Sequence, residues 1–373
     1  MSDSIIILGH HLVLKSYQEL IQSLAHRLIK KKLNVILITP EIYLEKTVIK
    51  AEEYPQRTFK HIKLKTVFGK TGRQHAHFYI GLNSVIQKYK PSLIFCMEEP
   101  NSLVSAQLCY LSKKNNSKIL LWSALNQYRD YSKYKIIDIR RYIFHWATTY
   151  CFENSDGIVA IDNSVKKVLE KKNYRKNISV CNTFGVNKEF FKKPRLNNSK
   201  KIRLIYVGLL EKYKGVEYLV NSVNSRMQLD IVGDGCEMQY LESLSAGKNI
   251  NFHGFKEHKY IIELMERCDV LILPSIPVDG YLEQFGRVLI EAMANGLCVI
   301  GSDIGGIPKV IGDAGFVVKH SNSEDLNEVL VSLSLDSEKL NISKIACYKR
   351  AKDIFSYNSV SKDIEKILFN ESQ

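Results

Sequence analysis

Apolar residues along the chain come in two arrangements that take turns, short unbroken runs and longer stretches that repeat every three to four positions. Ile5-Ile6-Ile7-Leu8 is unbroken, as a strand covered on both faces of a parallel sheet must be. Residues 17–31 repeat with helical spacing and lead into a second run at 35–38, which makes a βαβ unit. The same reading predicts strands at 93–97, 119–122 and 157–160, and helices at about 76–89, 103–113, 138–151 and 164–172. Between about 185 and 200 the alternation lapses into a polar, proline-broken stretch, Lys192-Lys193-Pro194-Arg195-Leu196-Asn197-Asn198. It then restarts, with strands at 203–207, 229–232, 250–252, 270–273 and 298–301 and helices at 216–223, 260–266 and 285–294. Two rounds of βα alternation imply an α/β chain of two Rossmann-like, doubly wound domains facing across a cleft. The expected divisions are 1–190, a linker at 191–200, 201–355, and a C-terminal helix at 356–373 that packs back on the first domain.

Length and composition agree with two domains. At 373 residues the chain exceeds what one core organises, and 45% hydrophobic with 25% charged residues is globular. No apolar run approaches the roughly 18 residues of a membrane span. Met1-Ser2-Asp3-Ser4 lacks the basic start of a signal peptide, so a cytoplasmic protein is expected. The eight cysteines never fall into a Cys-x-x-Cys pair, and most lie in apolar surroundings as reduced core residues. Charge is uneven: residues 1–200 carry 34 Lys and Arg against 15 Asp and Glu, a net +19, whereas residues 201–373 carry 19 against 24, a net −5. A basic first half points to an anionic partner: a phosphorylated acceptor, or a membrane surface that would hold the protein peripherally on the inner face of the cell membrane. Arg27 with Lys30-Lys31-Lys32, and residues 166–176, are the candidate cationic surfaces; solvated lysine faces are the plain alternative. No nucleic-acid module accompanies the charge, so nucleic acid is not an expected partner.

The segment richest in chemistry is 281–308, YLEQFGRVLIEAMANGLCVIGSDIGGIP. Glu283 precedes a helix whose first turn is expected to hold Phe285 and Gly286. A helix N-terminus offers unpaired N–H groups and the positive end of a dipole, which suit a phosphate. Arg287 and Glu291, four apart, share a helix face, so that the arginine can reach phosphate and the glutamate can accept hydrogen bonds from sugar hydroxyls. On spacing alone a surface glutamate before a helix and an ordinary Arg–Glu pair are the better explanation.

Glu283, Phe285, Gly286, Glu291, Ala292 and Gly296 resemble the Glu-x7-Glu signature of family-4 retaining glycosyltransferases of GT-B fold. Val207-Gly208, Lys214-Gly215, Val232-Gly233-Asp234-Gly235, Leu273-Pro274-Ser275 and Gly305-Gly306-Ile307-Pro308 are similar to that family's motifs in their usual order. The resemblance is strong over about 201–331 and looser before it, at Pro91-Ser92-Leu93-Ile94, Glu98-Glu99-Pro100, Trp122-Ser123 to Asn126 and Phe184-Gly185-Val186. It implies that the second domain holds a nucleotide-diphosphate sugar and the first an acceptor, a glycan or lipid-linked glycan of cell-surface polysaccharide or glycolipid synthesis. Glu291 would bind the nucleotide ribose, Glu283 the donor sugar, and Lys214 the diphosphate leaving group, with Phe285, Gly286, Gly208 and Gly233 close to the donor. The family often has Gly-Arg where this chain has Gly208-Leu209; Lys212 or Arg287 would supply the missing cation, preferably Arg287. Lys309 stands where the family more often has an acidic residue.

Glycosyl transfer builds charge on the departing diphosphate, which fixed cations and helix N–H groups stabilise. With no Asp-x-Asp motif, no metal and no cofactor is expected. The resemblance implies retention of configuration by front-face attack. His10 and His11 in the first βα turn, and Glu99 and Asn126 at strand ends, are the acceptor-side candidates; Glu98, His75 and His77 lie nearby in the sequence pattern. Competing readings are a nucleotide-sugar 2-epimerase, which leaves the basic half unexplained, and a non-catalytic binding subunit, which Leu209 favours. A nicotinamide dehydrogenase is a distant third, because the first βα turn, Gly9-His10-His11, lacks the Gly-x-Gly-x-x-Gly fingerprint.

Overall fold

The computed structural model describes residues 3–44, 48–69, 75–125, 139–199, 201–278 and 282–369, and its contacts divide the chain into two units, Met1–Thr183 with Val360–Gln373, and Phe184–Ser359. The division falls before Phe184 rather than at 190. Residues expected as a free linker are packed on the second unit: the Lys192 N–H donates to Ala294 O at 3.0 Å, and the Asn197 N–H to Asn341 Oδ1 at 2.8 Å.

In the first unit, β1 (Ser4–Leu8), α1 (Lys15–Ile29) and β2 (Asn34–Pro40) form the expected βαβ start, followed by a hairpin of β3 (Ile42–Leu44) and β4 (Val48–Lys50). β5 (Lys60–Leu64) adds an edge strand to β2, and β6 (Thr66–Val67) pairs antiparallel with β7 (Phe78–Tyr79). Then come α2 (Leu82–Tyr89), β8 (Leu93–Cys96), α3 (Leu103–Lys114), β9 (Lys118–Ser123), α4 (Ile139–Asn154), β10 (Gly157–Ala160), α5 (Asn163–Lys171) and β11 (Asn177–Val180). The parallel sheet runs β11-β10-β9-β8-β1-β2-β5. The helix expected from 76 begins only at Leu82, because Gly81 at φ 79° turns the chain out of β7 in a conformation that glycine adopts without strain.

The second unit carries β12 (Ile202–Val207), α6 (Val216–Ser222), β13 (Met227–Val232), α7 (Met238–Leu244), β14 (Ile250–Phe252), α8 (His258–Met265) and β15 (Val270–Leu273). α9 (Arg287–Ala294), β16 (Cys298–Ser302), α10 (Ile307–Ile311), β17 (Phe316–Val318), α11 (Ser323–Leu335) and α12 (Ser337–Arg350) follow, then a π-helical turn over Ala351–Phe355 and α13 (Tyr357–Leu368). The sheet order is β14-β13-β12-β15-β16-β17, all parallel. Successive residues of each strand serve opposite faces. Leu204, Tyr206, Val270, Ile272, Cys298 and Ile300 join one core with α6 and α11, and Ile205, Leu271, Leu273 and Val299 join another with α9 and α10. A sheet covered on both faces needs central strand positions that are apolar, which is why the runs at 204–207, 270–273 and 298–300 are unbroken.

From Val360 on, α13 belongs to the first unit. There the Glu365 carboxylate accepts from Arg27 Nε at 2.7 Å and lies 3.4 Å from Lys31 Nζ, and Ser361 Oγ bonds Ser23 Oγ at 2.8 Å. The cationic cluster at Arg27 and Lys31 is thus partly neutralised by α13. No described helix is long and apolar enough to cross a membrane. Seven cysteines are buried; Cys236 alone of the eight is exposed, 3.1 Å from a Glu211 carboxylate oxygen.

Candidate active site in the second unit and a histidine cluster in the first

In the second unit the chain runs outward to β13 from β12, and the other way to β16 from β15, so β12 and β15 are neighbours at the point where the order reverses. The loops at their carboxyl ends form the natural ligand crevice of such a sheet. Lys214 follows β12 and Glu283 follows β15. Their side chains meet there, Lys214 Nζ to Glu283 Oε2 at 2.6 Å, both largely buried at 14% and 13% exposed. Ser275 Oγ lies 3.4 Å from the same Glu283 oxygen.

Glycines make this meeting possible. Gly215, at φ 62°, packs so closely that a Cβ would come within 2.2 Å of Pro274 O, and the Ile276 N–H donates to Tyr213 O at 2.9 Å. These contacts lock the Lys214 loop to the loop after β15. On the other side Gly305 and Gly306 press on the Glu283 and Gln284 carbonyls, where added Cβ atoms would approach to 2.0 and 2.1 Å, and the Gly306 N–H donates to Glu283 O at 3.0 Å. The Gly-Gly-Ile-Pro motif therefore clamps the backbone that presents Glu283, a role the motif's spacing does not reveal.

The helix itself starts later than its pattern suggests. Gly286 is its N-cap at φ 76°, and Phe285 lies outside it, its ring 4.8 Å from Phe184 and 5.9 Å from Phe355. Phe285 is held by packing, and α9 opens with Arg287. Arg287 Nη2 lies 3.7 Å from Glu291 Oε1; the arginine is one-third exposed and the glutamate 15%. Burial raises the Glu291 carboxyl above its ordinary range, against the pull of Arg287 and then His258. Gly208 and Gly233 support one another: the Gly208 N–H donates to Val232 O, and a Cβ on Gly233 would sit 1.8 Å from Gly208 O. Lys212 is exposed, beside Glu211, Glu217 and Glu237 rather than with Lys214 and Glu283. Among the described residues no group of three or more His, Cys, Asp and Glu side chains has the spacing of a metal site.

The first unit gathers a different set at the carboxyl ends of β1 and β8. Glu98, 2% exposed, accepts from the His10 N–H with one oxygen and bonds His10 Nδ1 with the other, both at 2.6 Å. Burial opposes the Glu98 charge, but His10, with His77 and His11 beyond it, holds the carboxyl down at about 2. The His10 ring lies 4.7 Å from Tyr43 and 6.0 Å from His77, and His11 is 6.3 Å from Trp122. Glu99, the carboxylate that the pattern favours for the acceptor, is instead engaged at the end of β9, accepting from Ser123 Oγ and the Ala124 N–H at 2.7 Å each. Glu98 and Glu99 lie in the bend just past β8, and among the described residues only Glu98 of the two bonds a histidine. Asn126 lies outside the described residues.

Burial raises Glu99 to about 7 from its ordinary 4.5, despite those two hydrogen bonds. A raised carboxyl means that the folded chain keeps a proton the unfolded chain has released. Its contribution to stability is therefore greatest below about 4.5 and is lost as pH rises to about 7. Denaturant titrations at several pH values, with Glu99→Gln as comparison, are expected to show a fall over that window which the substitution flattens. An unchanged slope in the variant contradicts the assignment.

The family model for glycosyl transferases group 1 matches residues 187–350, nearly the whole second unit. An uncharacterized glycosyltransferase of Methanocaldococcus jannaschii is 27% identical over 233 residues, 61% of this chain and 62% of that protein. The N,N'-diacetylbacillosaminyl-diphospho-undecaprenol alpha-1,3-N-acetylgalactosaminyltransferase of Campylobacter jejuni is 32% identical over 178 residues, 46% of this chain and 44% of that protein. The matches span between 46% and 62% of the length of the first curated relatives. Among solved structures, Anabaena HepE in complex with UDP superposes with a TM-score of 0.66 at 14% identity, covering 99% of this chain and 100% of that one. The fold is GT-B, two Rossmann-like parallel-sheet domains.

Proposed function

We propose that the protein is a glycosyltransferase that moves a sugar from a nucleotide-diphosphate donor, held by the second unit, to a glycan or lipid-linked acceptor. The observation that carries this reading is the Lys214–Glu283 pair at the strand-order reversal, inside the segment matched by the group 1 model. Lys214 would leave Glu283 for the departing diphosphate, with Arg287 and the N–H groups of α9 as further positive ends, so that charge is stabilised without a metal ion. Glu283, released, would accept hydrogen bonds from donor-sugar hydroxyls. Glu291, poised beside Arg287, would bind the ribose. The resemblance to retaining enzymes supports retention through attack on the face that the diphosphate leaves. On the acceptor side, His10, oriented by the ionised Glu98, replaces Glu99 as the favoured contact, with His11 beside it. The undecaprenol-linked substrate in the name of the Campylobacter relative, and the +19 charge of residues 1–200, support an acceptor at an anionic membrane, in cell-surface glycan or glycolipid synthesis.

The test is a panel of nucleotide sugars, read by hydrolysis and by protection against thermal unfolding, in the presence of excess chelator. At least one donor is expected to protect and to turn over with chelator present. Glu291→Ala should weaken that donor by about ten- to a hundredfold, the loss of one or two hydrogen bonds to a partly buried carboxylate. No protection by any donor, or equal protection of the variant, would sink the reading; turnover that returns only with added magnesium or manganese would sink its metal-free part. Release of an epimerised nucleotide sugar without acceptor would establish the epimerase instead.

A further inference from the structure

The first unit exposes an aromatic surface that the transfer site does not use. α3 and α4 pack against one another, with buried Cys109 of the one against buried Cys151 of the other. Their outer faces are nevertheless apolar: Tyr110 is 57% exposed, Trp146 53%, Tyr142 54% and Ile143 41%. Between the helices runs a groove of about 470 Å³ lined by Phe78, Leu103, Tyr110, Trp146 and Tyr150, among others. Trp146 stacks on Tyr150 at 5.4 Å, and Phe78 continues the band to Phe68, 6.4 Å away and 56% exposed. Contiguous exposed apolar surface of this kind marks a contact with something else.

Charge identifies what that is. α3 ends in Lys113-Lys114, both exposed and one turn beyond Tyr110, and Arg140-Arg141 follow Ile139 at the start of the α4 sequence; the two helices hold a single acidic residue, Glu153. A second copy of the chain would bring the same positive charge and be repelled. Tyrosine and tryptophan, each an apolar body with a polar tip, are the residues that settle at the boundary between water and acyl chains, and basic residues beside them attract anionic headgroups. We propose that the outer face of α3 and α4 docks on the interfacial layer of an anionic lipid bilayer, with Tyr110 and Trp146 inserted and Lys113 and Lys114 at the headgroups. This deepens the anionic-surface part of the reading above and is independent of the transfer chemistry. It also moves the membrane contact away from Arg27 and Lys31, whose charge Glu365 already meets.

The chain has two tryptophans, Trp122 and Trp146, so Trp122→Phe leaves Trp146 as a single reporter. With vesicles of phosphatidylcholine and phosphatidylglycerol at low salt, its emission is expected to shift to the blue and to be quenched by brominated acyl chains; phosphatidylcholine alone should do neither. Tyr110→Ser with Trp146→Ser should lower sedimentation with the anionic vesicles by about tenfold or more. Lys113→Gln with Lys114→Gln, both on exposed positions, should lower it by about thirtyfold at low salt. Nucleotide protection, measured on each variant, reads the second unit: lost sedimentation with protection retained is the expected result. Sedimentation that survives both double substitutions overturns the proposal, as does emission indifferent to lipid, or emission shielded in lipid-free protein as its concentration rises, which would make the occupant a second copy. A parent protein that sediments with anionic vesicles but binds no nucleotide sugar would overturn the transfer reading and leave this one standing.

Discussion

Lys214→Ala is expected to slow sugar transfer by two to three orders of magnitude, about 2.7–4 kcal/mol, while the second unit stays folded. The ammonium is 14% exposed and held by loop contacts that Gly215 and Pro274 fix, so its position is set before the donor arrives. A charge placed in advance, away from water, costs no rearrangement when the diphosphate departs, and the stabilisation appears mainly in kcat. The substitution also leaves Glu283 without its 2.6 Å partner, so a loss of rate alone is ambiguous. Lys214→Ala combined with Glu283→Gln separates the causes. If Lys214 acts on the leaving group, the pair stays slow; recovery to within a few fold of the Glu283→Gln rate would mean that Lys214 merely neutralises the glutamate.

The largest effect on stability is expected at the opposite edge of the same sheet. Lys344 on α12 and Asp269 just before β15 are 1% and 2% exposed, with Nζ 3.0 Å from Oδ1. The other carboxylate oxygen accepts from Asn197 Nδ2 at 2.8 Å and the Arg203 N–H at 3.1 Å. Lys344→Met would leave a buried carboxylate with only neutral donors in bonding contact and Arg195 at 3.9 Å. Breaking such a pair from one side costs roughly 3–5 kcal/mol, because the remaining buried charge has lost its close counter-ion and keeps only the exposed Arg195 at 3.9 Å. Thermal unfolding should move down accordingly, whereas adding Asp269→Asn should recover much of the loss. A variant with Lys344→Met alone that melts with the parent would contradict this. Nucleotide protection at low temperature should survive, since the pair lies at the amino edge and the candidate site at the carboxyl edge.

How much of this the amino-acid order discloses depends on how local the cause is. Strands β10 and β15 coincide with their apolar runs residue for residue, because burial on two faces leaves no polar position to blur the ends. β5, Lys60-His61-Ile62-Lys63-Leu64, escapes the pattern because an edge strand mixes lysines with its apolar residues. The site divides in the same way. Glu283, Gly286 and Glu291 lie within one short stretch and are visible as a motif. The joining of Lys214 to Glu283 across 69 positions, and of His10 to Glu98 across 88, follows from sheet order. So does the clamp by Gly305 and Gly306, which are visible in sequence as a motif but not as neighbours of Glu283 and Gln284. Glu99 misleads because a carboxylate beside an apolar strand gives no sign of which face it takes.

The last helix has a consequence for how the molecule is made. A ribosome releases residues 1–183 first, yet that unit remains without the helix that meets Arg27, Lys31 and Ser23 until residues 360–369 emerge. The second unit, Phe184–Ser359, is continuous and can close on itself while the first still waits for its final piece. A nascent chain paused near residue 355 would therefore carry a finished second unit and an incomplete first one, with the α1 face at Ser23, Arg27 and Lys31 lacking its partners. Shortening the chain from its C-terminus by a dozen residues should accordingly harm the first unit, the one encoded farthest from the deletion.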